Sequence, residues 1–141
     1  PYKYPMKHRI PPRPLSYTKQ TKGYCKWCGN AIFKKDGLVN TRSSWHKTCV
    51  HEYKIIFWPN YTRRAVWNRD HGKCSSCGKL CHKKGGEWHM DHIKPLIEAK
   101  GDISFWQLSN LQTLCKSCHH KKTSAEATER AEKRKLTKLN G

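Results

Sequence analysis

Apolar positions in this chain come in short runs separated everywhere by polar residues, and the spacing of each run predicts an element. In the first half, residues 31–33 and 38–39 flank Lys35-Asp36-Gly37, a turn sequence, and together they predict a short hairpin. A helix is expected over 47–57. It should stop before Pro59, because the residue preceding a proline is pushed out of helical geometry. A second helix is expected to begin after Asn60 as N-cap, to present Ala65, Val66 and Arg69 on neighbouring faces, and to end at Gly72 in a left-handed cap. Trp58, Tyr61 and Trp67 read as core and hinge packing. In the second half, residues 87–93 alternate polar and apolar as a strand does, ending at Lys94-Pro95. A polar, irregular stretch runs to Ser109, and residues 110–114 read as a returning strand. From Cys115 to about Lys138 the pattern is helical, with Glu126/Arg130 and Glu129/Lys133 at the spacing that supports a solvated helix.

Composition makes these elements hard to stabilise by burial alone, since only 35% of 141 residues are apolar. Residues 1–24 are rich in proline, lysine and arginine and contain no acid, so they are expected to be a flexible basic arm, either a solvated tail or a segment that orders on a polyanion. The expected organisation is this arm, a module over 25–58 and a second module over 59–141.

The formal charge is +19, with ten acidic residues in the whole chain. Such a balance repels itself unless it meets a polyanion, and nucleic acid is the commonest one. No apolar stretch approaches the ~20 residues of a membrane span, and no signal-peptide core is evident, so a reducing compartment, cytoplasmic or nuclear rather than secreted, is expected.

The eight cysteines supply what the core lacks. Cys25/Cys28, Cys74/Cys77 and Cys115/Cys118 each carry the two-residue gap of a metal knuckle. Cys25, Cys28, His46 and Cys49 form one tetrahedral zinc set, with His51 as the alternative to His46. Cys74, Cys77, Cys115 and Cys118 form a second. Two structural zinc ions would lower the net charge to about +16 once their seven thiolates are counted. The 37 residues between Cys77 and Cys115 are too many for a plain zinc ribbon and imply a structure of their own. Cys81 and His82 are left over and read as incidental.

Within that insertion, Trp88-His-Met-Asp91-His92-Ile-Lys-Pro, followed by Asn110-Leu-Gln-Thr-Leu-Cys115-x2-Cys118-His119-His120, strongly resembles the signature of the HNH endonucleases in its four-cysteine form. The order of motifs over residues 25 to about 135 is also similar to phage and bacterial stand-alone HNH proteins and to the C-terminal nuclease domain of the zinc-finger annealing helicases. The resemblance implies a small, zinc-stabilised α+β fold. It would be a ββα-metal finger with an additional N-terminal CCHC zinc module and connecting helices.

It further implies a metal-dependent DNA endonuclease leaving 5′-phosphate and 3′-hydroxyl ends. His92 matches the general base, a role suited to an imidazole with a pKa near ~6.5. Asp91 and His119 match the ligands of one catalytic divalent cation, with His120 as the rival imidazole. Asn110 matches the residue that holds the loop. One carboxylate and one imidazole suit Mg²⁺ or Mn²⁺ and tolerate Ni²⁺. His89, two before Asp91, either positions phosphate or only packs. Arg63, Arg64, Arg69, Lys121, Lys122, Arg130 and Lys133 are candidate DNA-phosphate contacts, against the plainer reading of solvated helix faces. Expected partners are double-stranded or branched DNA and a second copy or partner protein for targeting. Two rivals stand: a non-catalytic zinc module that binds DNA or protein, and an RNA-directed nuclease.

Overall fold

A computed structural model describes residues 11–18, 22–84 and 87–141. Five elements carry the fold: α1 (Lys47–Phe57), α2 (Pro59–Asp70), β1 (Trp88–His92), β2 (Leu111–Cys115) and α3 (Lys116–Leu139). Between β1 and β2 lie three short 3-10 turns at Leu96–Glu98, Ile103–Trp106 and Leu108–Asn110. The chain divides into two compact units that do not follow its linear order: Pro1–Ala65 with His92–Asn110, and Val66–Asp91 with Leu111–Gly141.

In the first unit a cluster of Cys25, Trp27, Ile32, Ile56, Ala99 and Trp106 is surrounded by Trp45, Tyr53, Phe57, Leu96 and Phe105. The stretch between the strands, polar on average, therefore sends Ala99, Trp106 and their apolar neighbours into one cluster with Cys25 and Trp27. Glu52 reinforces this by accepting from Trp27 Nε1 at 3.0 Å and from Gln107 Nε2 at 3.3 Å. The described part of the basic arm is folded rather than loose. Ser16 donates to the carbonyls of Lys26 and Trp27, Tyr17 stacks on Tyr53 at 6.0 Å, and the Arg13 guanidinium lies 4.7 Å from the Tyr17 ring. Residues 1–10 and 19–21 of the arm lie outside the described residues.

Three local expectations are corrected. The hairpin over 31–39 is reduced to isolated bridges, Phe33 with Val39 and Ala31 with Tyr24, its short runs leaving room for little pairing. The second helix begins at Pro59, not after Asn60: at the first helical position a proline sacrifices no hydrogen bond and its fixed φ already suits the helix. Trp58 is 49% exposed rather than core, with Lys54 Nζ 5.0 Å from its ring centre.

In the second unit Val66, Trp88, Leu111, Thr113 and Leu114 are buried, and Trp67 packs against Trp88 with ring centres 5.5 Å apart. After α2 the chain turns through Gly72 at φ +78°. A Cβ there would lie 2.5 Å from the Cys81 carbonyl and 2.8 Å from the Trp67 ring, so both the turn and the packing require glycine. The strands form a two-stranded sheet, and the Ser75 N–H, inside the second knuckle, donates to the Thr113 carbonyl of β2 at 2.8 Å. Thr113 Oγ donates to Asp70 at 2.9 Å. Arg69 holds the same carboxylate and donates to the Leu111 carbonyl at 2.7 Å. No described helix is long and apolar enough to cross a membrane.

Candidate functional site

Two ligand sets assemble, each within one unit. In both Cys25/Cys28/His46/Cys49 and Cys74/Cys77/Cys115/Cys118, the ligand atoms lie within 4.8 Å of one another. A tetrahedron with Zn–S of ~2.3 Å has edges of about 3.8 Å. Cys77 Sγ and Cys115 Sγ are 3.8 Å apart. His46 precedes α1 as its N-cap, and its Nδ1 lies 3.4 Å from Cys28 Sγ and 3.8 Å from Cys49 Sγ. Its Nε2 is 3.1 Å from the Ala31 carbonyl, which can only accept. The proton therefore belongs on Nε2 and the Nδ1 lone pair faces the sulfurs. His51, the alternative ligand, instead pairs with the Tyr61 hydroxyl at 2.7 Å.

The thiols are tuned for a cation. Burial opposes ionisation of Cys25, but the backbone N–H groups of Cys28, His46 and Trp27 outweigh it and lower the thiol to about 6. Cys74 is lowered to about 6 in the same way, burial being outweighed by the N–H groups of Cys77, Cys115 and Ser76. Cys49 is pushed up to about 12 by burial and by the neighbouring Cys25 and Cys28. At Cys118 the help of Ser76 is overcome by Cys115 and Cys77, which push it up to about 12. In each set backbone N–H groups favour a thiolate while the crowding of thiols opposes a further one, an opposition that a bound cation would offset. These donors fit zinc. Cys81 is buried outside both sets, and its thiol is raised by burial.

A third group forms where β1, β2 and α3 meet. Asp91 projects from β1 with a side chain 12% exposed, and its Oδ1 lies 3.9 Å from His119 Nε2 in the first turns of α3. The other oxygen, Oδ2, accepts from Gln112 Nε2 of β2 at 3.0 Å and from Lys122 Nζ of α3 at 3.1 Å. The carboxylate is held by one oxygen while the other faces the imidazole. His89, two residues before Asp91 on the same strand face, stacks its ring on His119 with centres 4.4 Å apart and planes 4° apart. His120 is exposed. His92 is the last residue of β1 and half-buried.

Asn110, buried at the end of the inter-strand segment, holds the backbone just after His92. Its Oδ1 accepts from the Lys94 N–H at 2.9 Å, and its Nδ2 donates to the carbonyls of Lys94 at 3.1 Å and Phe105 at 2.8 Å.

Of the candidate phosphate contacts, Arg63, Arg64, Arg69, Lys121 and Lys133 are exposed. Arg69 is engaged with Asp70 and Leu111 as described, and Lys133 pairs with Glu129 at 2.7 Å. Lys122 bonds both Asp91 and Glu126. Those two carboxylates outweigh the cost of its burial and hold its ammonium above the usual lysine range. Arg130 lies 4.0 Å from Glu126. Gln112 was not singled out from the sequence, and Glu126 only as the helix partner of Arg130. The signals were there: Gln112 comes from the strand that pairs with β1, and Glu126 follows His119 by seven residues, two helical turns along one face.

The HNH endonuclease family profile matches residues 74–125. The chain is 29% identical over 127 residues to the mouse protein "DNA annealing helicase and endonuclease ZRANB3", covering 63% of this chain and 12% of that protein. It is 44% identical over 52 residues to the human protein of that name, covering 37% of this chain and 4% of the other. A "Probable HNH endonuclease" of Lactococcus phage SK1 is 41% identical over 66 residues, covering 44% of this chain and 65% of the phage protein. The chain thus spans only a small part of the annealing helicases it matches. No solved structure matches it. The segment 74–125, which holds the second cysteine set, Asp91, His92, Asn110 and His119, is thus the part of the chain that matches the HNH endonuclease family.

Proposed function

We propose that the chain is a metal-dependent DNA endonuclease whose reaction centre is formed by His92, Asp91 and His119, with Asn110 holding the loop. The observation that carries this reading is the Asp91–His119 pair: a carboxylate oxygen and an imidazole nitrogen 3.9 Å apart, the second oxygen of the same carboxylate already bonded to Gln112 and Lys122. One ion can touch both donors, and such a set suits a hard cation, Mg²⁺ or Mn²⁺, with Ni²⁺ tolerated by the imidazole. When bound, the ion supplies positive charge beside the scissile phosphate, where charge develops on the departing 3′ oxygen. The zinc sets have four protein ligands each and no position left for substrate, so their part is structural.

In this reading His92 accepts a proton from the attacking water as the new bond to phosphorus forms and the bond to the 3′ oxygen breaks; that oxygen takes a proton from solvent, leaving 5′-phosphate and 3′-hydroxyl ends. Asn110 keeps the strand end and the following Lys94 in place through its backbone bonds. His89 keeps the His119 ring in plane. Arg63, Arg64 and Lys121, all exposed, meet DNA phosphates. Duplex or branched DNA is the proposed substrate. A single centre of this kind cuts one strand per encounter, so a double-strand break requires a second copy, a partner or a second visit.

The test is conversion of supercoiled plasmid to nicked and linear forms with added Mg²⁺ or Mn²⁺, beside a His92→Ala variant of equal zinc content and equal circular dichroism. The expected result is divalent-dependent nicking that the variant lacks. Equal cutting by the variant removes His92 from the mechanism. Tight plasmid binding without cutting by either protein makes the chain a binding module, and preferential cleavage of RNA in a parallel assay replaces the substrate.

A further inference from the structure

Lys122 follows His119 by three residues on α3, and its ammonium is shared by two carboxylates. It lies 3.1 Å from Asp91 Oδ2 and is bonded to Glu126 one turn further along the helix. All three side chains are largely withdrawn from water, Lys122 at 23% exposed, Asp91 at 12% and Glu126 at 24%. Screening by solvent is therefore weaker here than on an open helix face. With the ammonium in place, one positive charge bridges the two carboxylates, and Arg130 lies 4.0 Å from the far oxygen of Glu126. Without it, Asp91 Oδ2 would keep the neutral Gln112 amide and Glu126 the more distant Arg130, and the negative charge facing a cation beside Asp91 would rise.

We propose that Lys122 is a positioning residue that keeps Asp91 Oδ2 and Glu126 from the divalent ion, so that metal binding is weak until a DNA phosphate arrives. This rests on the nuclease reading above. Mg²⁺ and Mn²⁺ take six oxygen or nitrogen ligands, and the chain offers one carboxylate oxygen and one imidazole beside a fixed positive charge. A phosphodiester supplies both the missing oxygens and the negative charge that offsets the ammonium. Metal and DNA then bind cooperatively, each raising the affinity of the other by the same factor.

The experiment measures Mn²⁺ affinity by electron paramagnetic resonance of the free ion. It uses zinc-loaded protein in a His92→Ala background, so that DNA is not consumed, with and without a duplex oligonucleotide. The parent is expected to bind Mn²⁺ about tenfold more tightly with DNA present. Lys122→Met should bind Mn²⁺ about tenfold more tightly than the parent in the absence of DNA, because a like charge is removed. Its gain on adding DNA should shrink. Lys122→Arg should behave as the parent, and Lys122→Met with Glu126→Gln should return toward it.

Unchanged or weaker DNA-free Mn²⁺ binding by Lys122→Met overturns the proposal. So does weaker DNA binding with a shallower salt dependence and no change in Mn²⁺ affinity, which would make Lys122 an ordinary phosphate contact. Failure of every protein to bind Mn²⁺, with DNA or without, overturns the nuclease reading and this inference with it.

Discussion

Replacing Asn110 tests whether its amide holds the loop by donating as well as accepting. The side chain makes three hydrogen bonds, one accepted from the Lys94 N–H and two donated to the carbonyls of Lys94 and Phe105, at a residue only 9% exposed. At about 1 kcal/mol net per bond, Asn110→Ala loses at most about 3 kcal/mol. Lys94 is an exposed residue, so water replaces part of what its backbone loses, and about 2 kcal/mol is expected. Asn110→Asp is nearly isosteric and keeps the bond from the Lys94 N–H, but it turns a carboxylate oxygen toward two carbonyl oxygens. It should therefore cost more than alanine, about 3 kcal/mol at neutral pH. Urea unfolding in zinc-saturated buffer measures this: with a slope of ~1–3 kcal/mol/M, the alanine variant's midpoint should fall by about 1 M. An aspartate variant as stable as the parent would refute the reasoning, because only an acceptor would then be needed. Loss of cleavage with no loss of stability in either variant would move Asn110 from scaffold to chemistry.

Further expectations follow from the same geometry. The purified chain should carry two zinc ions, and Cys28→Ser and Cys118→Ser should each retain one, measured by plasma emission spectrometry; loss of both from either variant would show that the sets do not assemble separately. Arg69, against the cost of burial and with help from Thr113, holds Asp70 below the usual carboxylate range. Its contribution to stability is therefore complete above the unfolded pKa of ~3.9 and lost as pH falls through the lower folded value, so the parent should lose more stability than Asp70→Asn over that acid range. Thr113→Val removes the hydroxyl that donates to Asp70 at a fully buried position and should cost about 1–2 kcal/mol by urea unfolding, with zinc content unchanged. DNA affinity should fall steeply and linearly on a log–log plot against salt, and Arg63→Ala and Arg64→Ala should each reduce the slope by about one if they meet phosphates.

The sequence by itself determined the features whose determinants are local. Cysteine pairs two residues apart define a knuckle, and both four-ligand sets were legible from spacing. The bounds of α1 followed from its apolar pattern and from Pro59, and the positions of β1, β2 and α3 from a change of period between Trp88 and Cys115. Asp91, His92, Asn110 and His119 stood out because a short motif names them in order.

Tertiary structure decided what depends on residues distant in the chain. Trp106 and Ala99 sit in a stretch too polar on average to read as core, yet they are buried in one cluster with Cys25, Trp27 and Ile56, residues far away in the chain. Arg69 looked like a solvated cation, but Asp70 and the Leu111 carbonyl claim it. Lys122 read from the sequence as a candidate phosphate contact, and α3 brings its ammonium to Asp91, 31 positions earlier in the chain. A charged side chain reads the same in sequence whether it meets water or a partner. Only the packing of β1, β2 and α3 brought Lys122 to Asp91, because a half-buried charge is costly without a partner of opposite sign.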